Sequence, residues 1–243
     1  MCNSMKKNHI GCSGFVYPGW KGKFYPAELA RSKWLAHYSS KFNTVELNAS
    51  FYRFPTLKSL EGMYKATPPG FKFSVKAHKI ITHSMKMKNA KEKVKEFLQI
   101  VEAGLQEKLG CVLYQLPPSF SYTDENLEHL LASVPHDPST VIEFRNASWL
   151  DKKVYEALEQ HQIIFCNNDY PGMPDEIVKT KERFYMRFHG RPLLYKSEYT
   201  LPQLKKLTKQ VPAECNERYI YFNNTALLAA VANAMSIREM MER

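Results

Sequence analysis

The sequence predicts a single (β/α)8 barrel of the TIM type. Strand-like and helix-like segments alternate along the whole chain, and eight strand candidates occur among them. The 243 residues also suit eight such units, which usually take about 250. The rival is an open doubly wound sheet, which often carries a G-x-G-x-x-G loop after its first strand. Gly11 and Gly14 stand there, but that pattern and any P-loop are absent. No linker or low-complexity stretch divides the chain, so residues 1–243 are expected to form one domain.

Strands are expected at His9–Phe15, Asn43–Ala49, Phe71–His78, Gly110–Leu116, Thr140–Arg145, Ile163–Asp169, Phe184–His189 and Arg218–Asn223. Turn formers bound most of them: Pro69-Gly70, Pro117-Pro118 and Gly190. Between them, Val94, Phe97, Leu98, Val101 and Leu105 recur at helical spacing. Thr123-Asp124 predicts a capped helix through Leu127, Leu130 and Leu131. Ser148 is the expected cap of the helix holding Leu150, Val154 and Leu158, and the last helix is expected from Thr225 through Met235. Tyr170–Lys181 contains two prolines and a glycine, so the sixth helix is expected to be irregular or missing.

The composition (44% apolar, 24% charged, 13% aromatic) excludes a collagen, a disulfide-stapled mini-domain and a wholly disordered chain. No apolar run approaches the roughly 18 residues of a membrane span, and Met1–His9 lacks the apolar middle of a signal peptide. A cytoplasmic protein without a membrane partner is expected. Cys2, Cys12, Cys111, Cys166 and Cys215 show neither C-x-x-C nor zinc spacing. The net charge of +10 attracts anions, nucleic acid and phosphorylated metabolites included. The densest basic cluster is Lys86, Lys88, Lys91, Lys93 and Lys95. It reads first as a solvated helix face, with phosphate tracking as the alternative.

Strand parity is the most informative step, because alternate residues face the helices and the barrel axis. Phe71, Phe73, Val75 and Ala77 take the helix side, which leaves Lys72, Ser74, Lys76 and His78 inward. By the same alternation Glu46 and Asn48, Glu143 and Arg145, Tyr185, Arg187 and His189, Asn223, Ser13 and Gln115 face in. Asn167 and Asp169 are assigned to the inner set of the sixth strand. An interior built only for stability would use Val, Ile and Leu. Polar groups converging at the strand C-termini therefore point to a site at the mouth, with a self-satisfied ion-pair plug as the bland alternative.

The same segments carry a resemblance over nearly the whole chain. They are Gly11-Cys-Ser-Gly-Phe15 with Tyr17, Trp20, Gly22 and Phe24-Tyr-Pro26, and Phe42-Asn-Thr-Val-Glu46 with Asn48 and Phe51-Tyr52. They continue as Thr67-Pro68, Phe71, Phe73 and Lys76, Gln115-Leu-Pro-Pro118 with Phe120, and Glu143-Phe-Arg145 with Ser148-Trp149. Arg187-Phe-His-Gly190 and Phe222-Asn-Asn224 complete the set. In these the chain resembles the family catalogued as domain of unknown function 72, which implies a TIM barrel and no particular reaction. Phe15 stands where that family more often has Trp, and Asn146 where it often has His.

Glu46, Glu143, Lys76 and His189 are the candidate catalytic residues. Two carboxylates could divide acid and base roles, with Arg145 keeping Glu143 ionised. Lys76, Arg187 and His189 supply charge for a phosphate or carboxylate. Ser13, Tyr17, Trp20, Asn48, His78, Gln115, Arg145, Asp169, Arg187 and Asn223 are the candidate substrate-binding residues. A divalent metal would draw on Glu46, His78, Glu143, Asp169 and His189, but the fixed cations oppose it, so neither cofactor nor metal is expected. The expected function is acid–base catalysis on a small anionic, phosphate-containing substrate. Alternatives are a metal-dependent phosphodiesterase acting on nucleic acid and a non-catalytic ligand-binding barrel; a glycosidase ranks behind these because the mouth is cationic.

Overall fold

The structure is a computed structural model that describes residues 7–174 and 176–242. Eight parallel strands form one sheet curled into a barrel: β1 (Lys7–Cys12), β2 (Thr44–Leu47), β3 (Lys72–Lys76), β4 (Leu109–Gln115), β5 (Thr140–Glu143), β6 (Ile164–Asn168), β7 (Arg183–Phe188) and β8 (Glu217–Phe222). Each expected strand is present, its ends within three residues of those expected, and β1, β4, β7 and β8 start earlier than expected. The helices are α1 (Trp34–Ser39), α2 (Ala49–Tyr52), α3 (Leu57–Lys65), α4 (Lys91–Leu105), α5 (Asp124–Ser133), α6 (Lys152–Gln160), α7 (Leu201–Gln210) and α8 (Ala229–Glu242). Tyr170–Lys181 contains no helix among its described residues, as its prolines predict. Asn167 holds that segment instead, accepting from Val178 N at 2.7 Å and donating to Val178 O at 2.8 Å.

Local capping follows side-chain chemistry with two departures. Thr123 caps α5, its hydroxyl accepting from Asn126 N at 3.0 Å. The cap of α6 is Asp151, not Ser148. Ser148 lies in a preceding 3-10 turn and accepts from Tyr122 N at 2.8 Å. The last helix begins at Ala229 rather than Thr225.

The core outside the barrel wall packs Phe73, Val75, Tyr114, Ile142, Phe184, Ile220 and Phe222 against the helices. A separate interior cluster of Cys111, Leu113, Val141, Ile164, Cys166, Tyr185, Tyr219 and Tyr221 fills the cylinder. Cys12, Cys111, Cys166 and Cys215 are free and buried, and burial pushes the Cys12 and Cys111 thiols far up. Cys2 lies outside the described residues. No helix among the described residues is long and apolar enough to cross a membrane.

Among the described residues seven of the eight strand junctions are parallel ladders, whereas β1 meets β2 through one bridge between Ser13 and Glu46. Side chains replace the missing ladder. Asn43 Nδ2 donates to Asn8 O at 2.7 Å, and Asn43 Oδ1 accepts from Ile10 N at 3.3 Å. Tyr38 OH accepts from Cys12 N at 2.8 Å and donates to Thr44 O at 3.1 Å. Gly11 makes room for this, since a Cβ there would sit 2.3 Å from Thr44 O and 2.7 Å from Tyr38 OH. In Tyr38→Phe the buried Cys12 N–H and Thr44 C=O lose their shared partner. That costs about 1–3 kcal/mol, to be read as a lower urea midpoint at unchanged m-value; an unchanged midpoint would show that the seam holds without it.

Candidate functional site

Inward parity stacks the polar residues along the barrel axis. Near the middle, Tyr221 OH lies 2.6 Å from Thr44 Oγ1 and 2.9 Å from Ser74 Oγ. Above it Tyr185 OH donates to Glu46 Oε2 at 2.7 Å, and Ser13 Oγ donates to Glu46 Oε1 at 2.7 Å. Arg187 then spans the axis. Its Nη2 reaches Glu46 Oε1 at 2.8 Å and its Nη1 reaches Glu143 Oε2 at 2.5 Å. All three are almost completely buried: Arg187 is 1% exposed and both glutamates are 0%. On the mouth side, Arg145 Nη2 meets Glu143 Oε1 at 2.6 Å, and its guanidinium lies 4.0 Å above the Tyr170 ring.

His189 completes this layer. Asn223 Nδ2 lies 3.0 Å from His189 Nδ1, and Glu143 Oε1 lies 3.3 Å from Nε2. With the Asn223 amide donating to Nδ1, a proton on Nε2 would be directed at Glu143 Oε1. Arg145 Nη2, 3.1 Å from that nitrogen, converges on the same carboxylate oxygen. Burial holds His189 down at about 3; the hydrogen bond to Glu143 opposes this, and Arg187 and Arg145 reinforce it. Burial works against the charge of Glu143, but Arg145 and Arg187 outweigh it and keep the carboxyl well below its usual range.

Lys76 stands apart from this neutralised layer. Its Nζ donates to Gln115 Oε1 at 2.8 Å and lies 4.0 Å from the centroid of the Phe51 ring. Gln115 is itself anchored, its Nε2 donating to Leu116 O at 2.7 Å. Among the described residues no carboxylate is in ion-pair range of Lys76. Burial lowers this amine to about 7, and the positive Arg187 acts in the same direction. Glu46 and Glu143 balance Arg187 and Arg145, so among the described residues the protonated Lys76 is left without a carboxylate partner in this layer. Arg145 Nε is a further loose end: it is buried and has no hydrogen-bond partner, on a side chain only 6% exposed.

The structure thus gathers Ser13, Glu46, Lys76, Gln115, Glu143, Arg145, Arg187, His189 and Asn223 at one end of the cylinder. Tyr17 borders them, its OH donating to Ser13 O at 2.5 Å. Four candidates lie elsewhere. Trp20 is 0% exposed under its own loop, with Nε1 donating to Leu227 O at 2.9 Å. Asn48 borders a cleft of about 440 Å³ between the Gly14–Tyr17 loop and α3, its Oδ1 buried without a partner. His78 lies past the end of β3, its Nδ1 accepting from Ile80 N at 3.2 Å.

Asp169 requires a correction of parity. The inner set of β6 is Ile164 and Cys166, so Asn167 and Asp169 face outward; the buried apolar interior takes the small thiol and leaves the amide to pin the loop outside. Asp169 accepts from His189 N at 2.5 Å and from the hydroxyl of Tyr199, supporting His189 from behind. Strand parity also cannot find His83, which rides on a π-helical turn, Ile80–Ser84, after β3. Its ring packs edge-on to Phe51 at 4.9 Å, and burial, then Lys76 and Arg145, hold it down at about 4. A π turn adds one residue per turn to the helical repeat and leaves no periodic signature in sequence.

In the basic cluster, Lys88 approaches Glu125 at 3.8 Å and Lys93 pairs with Glu96. Among the described residues, no three His, Cys, Asp or Glu side chains are grouped to hold a metal ion.

Comparison with known proteins adds four findings. The family model described as "Protein of unknown function DUF72" matches residues 9–243. UPF0759 protein YunF of Bacillus subtilis is 27% identical over 96% of this chain and 94% of its own. A crystal structure of a DUF72 family protein from Thermotoga maritima superposes with a TM-score of 0.88 at 32% identity, covering 98% of this chain and all of that one. A DUF72 family protein from Enterococcus faecalis shares the fold at a TM-score of 0.80 and 21% identity, over 99% and 100% of the two chains.

Two outcomes are expected from the buried layer. Arg187→Met leaves two buried carboxylates without their shared cation, which should cost roughly 3–5 kcal/mol in urea unfolding; a loss within error would show that the layer does not hold the barrel. The second concerns pH. Since His189 titrates at about 3 when folded and near 6.5 otherwise, the unfolded chain binds more protons between those values. Stability should then fall as the pH drops from 6.5 toward 3, with Glu143 adding to the loss below its ordinary range. His189→Gln should flatten this slope above the carboxylate range, and an unaltered slope would reject the assignment.

Proposed function

We propose, from the premise that the chain belongs to the DUF72 family, that the barrel mouth binds a small singly or doubly charged anion between Lys76 and Arg145 and acts on it by acid–base chemistry. The observation that carries this reading is the uncompensated Lys76 beside a balanced ion-pair layer. A half-buried ammonium without a counter-ion is costly unless a ligand supplies one. The partnerless Arg145 Nε supports the same conclusion, because a phosphate or carboxylate oxygen would satisfy it.

The roles of the candidates then divide by how firmly each is held. Glu46, Glu143 and Arg187 are committed to one another and form a rigid floor. Lys76, lowered to about 7, can give or take a proton near neutral pH, which suits general acid–base work. His189 is held by Asn223 and Asp169 in one orientation and serves as a neutral hydrogen-bonding wall. Gln115 sets the direction of the Lys76 amine.

Inorganic phosphate and small phosphorylated compounds should raise the melting temperature saturably, by an amount equivalent to about 2.7 kcal/mol at one hundred times Kd. Because the charged form of Lys76 is lost as pH rises through about 7, this stabilisation should weaken across that range, and Lys76→Met should abolish both the effect and its pH dependence. Equal stabilisation of the variant and the parent would overturn the site.

A further inference from the structure

We propose that Lys76 is a covalent nucleophile and that the anion bound at the mouth carries an aldehyde or ketone, which the Lys76 amine converts to an imine. This deepens the preceding reading and rests on it: the anionic group places the substrate, and the amine attacks its carbonyl carbon.

Nζ of Lys76 has two near neighbours. Gln115 Oε1 takes one N–H at 2.8 Å, and the Phe51 ring covers another side at 4.0 Å. Arg145, just past β5, and Arg187 of β7 are engaged with Glu143 and Glu46, so among the described residues no carboxylate is in ion-pair range of the amine. His83, packed edge-on to the same Phe51 ring, is a further titratable group on this side, and it is held neutral. A lysine that only binds anions gains from staying charged in water, as most surface lysines do. One held between an aromatic ring and an amide, in the field of two guanidinium groups, is a better amine than an ammonium. Its ordinary value of 10.5 falls to about 7 here, burial being the larger cause and Arg187 the next.

Gln115 makes the geometry productive. Its oxygen can only accept, so it holds an amine hydrogen in either protonation state. In the neutral form the lone pair is directed away from that bond. The step then balances without any redox partner. The Nζ lone pair forms a bond to the carbonyl carbon, and the carbonyl oxygen takes up a proton as the amine loses one. The resulting carbinolamine expels its hydroxyl with a second amine proton as water, leaving a C=N bond.

Borohydride trapping tests this directly. The full-length protein is incubated with glyoxylate, with glycolaldehyde phosphate, or with uncharged propionaldehyde, and reduced; adducts are then mapped by peptide mass spectrometry. At pH 7 about half of Lys76 is neutral against less than about a thousandth of an ordinary lysine, and lower basicity gives back only part of that advantage. Lys76 should therefore be labelled at least roughly tenfold faster than any other lysine at pH 7. The two anionic probes distinguish a carboxylate from a phosphate substrate, and propionaldehyde should label Lys76 poorly. Lys76→Arg should keep phosphate stabilisation while losing the adduct. Adducts spread over many lysines, or none at Lys76 while phosphate still stabilises the parent, would overturn the imine step and leave the anion site standing. Selective labelling of Lys76 by propionaldehyde as readily as by the charged probes would sink the anion-placed substrate and retain the nucleophile.

Discussion

Arg187 placed between Glu46 and Glu143 is the interaction on which the upper half of the barrel depends. Three charges removed from water would be prohibitive singly; together they are tolerable because each carboxylate oxygen and each guanidinium nitrogen finds a partner. The arrangement ties β2, β5 and β7, three well-separated staves, to one planar guanidinium. It also joins the backbone bridge between β1 and β2, since Ser13 and Glu46 are both the bridge residues and a hydrogen-bonded side-chain pair. Closure of the cylinder and assembly of the polar layer are thus the same event.

The weak stave junction has a second consequence. Where a ladder would have fixed β1 against β2 through backbone alone, Asn43 and Tyr38 do so through side chains. Side-chain closure needs space, and Gly11 supplies it. The opening Gly-Cys-Ser-Gly run is therefore explained in part by packing: Gly11 admits the Tyr38 hydroxyl, Cys12 is a buried apolar filler, and Ser13 faces the carboxylate.

The mouth separates into groups that are satisfied and groups that are not. Glu46, Glu143 and Arg187 have the unusual sequence signature of charge at barrel-facing positions, yet their geometry is that of a foundation. Lys76 and Arg145 share the same signature and retain unmet bonding capacity. The difference is invisible in sequence because it depends on which carboxylate reaches which cation across the axis. Neither the formal charge of the inner set nor its parity distinguishes a committed ion from an available one.

What the chain determined by itself was the alternation of elements and, in seven strands, which residues face the axis. A two-residue repeat with one apolar face leaves little choice, and Phe71, Phe73 and Val75 force Ser74 and Lys76 inward. The pattern failed at β6, where a buried thiol and an outward amide invert the usual polarity, so Asp169 lies behind His189 instead of beside it. It was silent on His83, carried by an irregular turn, and on the departure of Trp20 from the mouth. Only the tertiary structure decided which charges cancel. Ion pairing across a barrel is set by ångström-scale separations between strands far apart in sequence, and no local pattern encodes those.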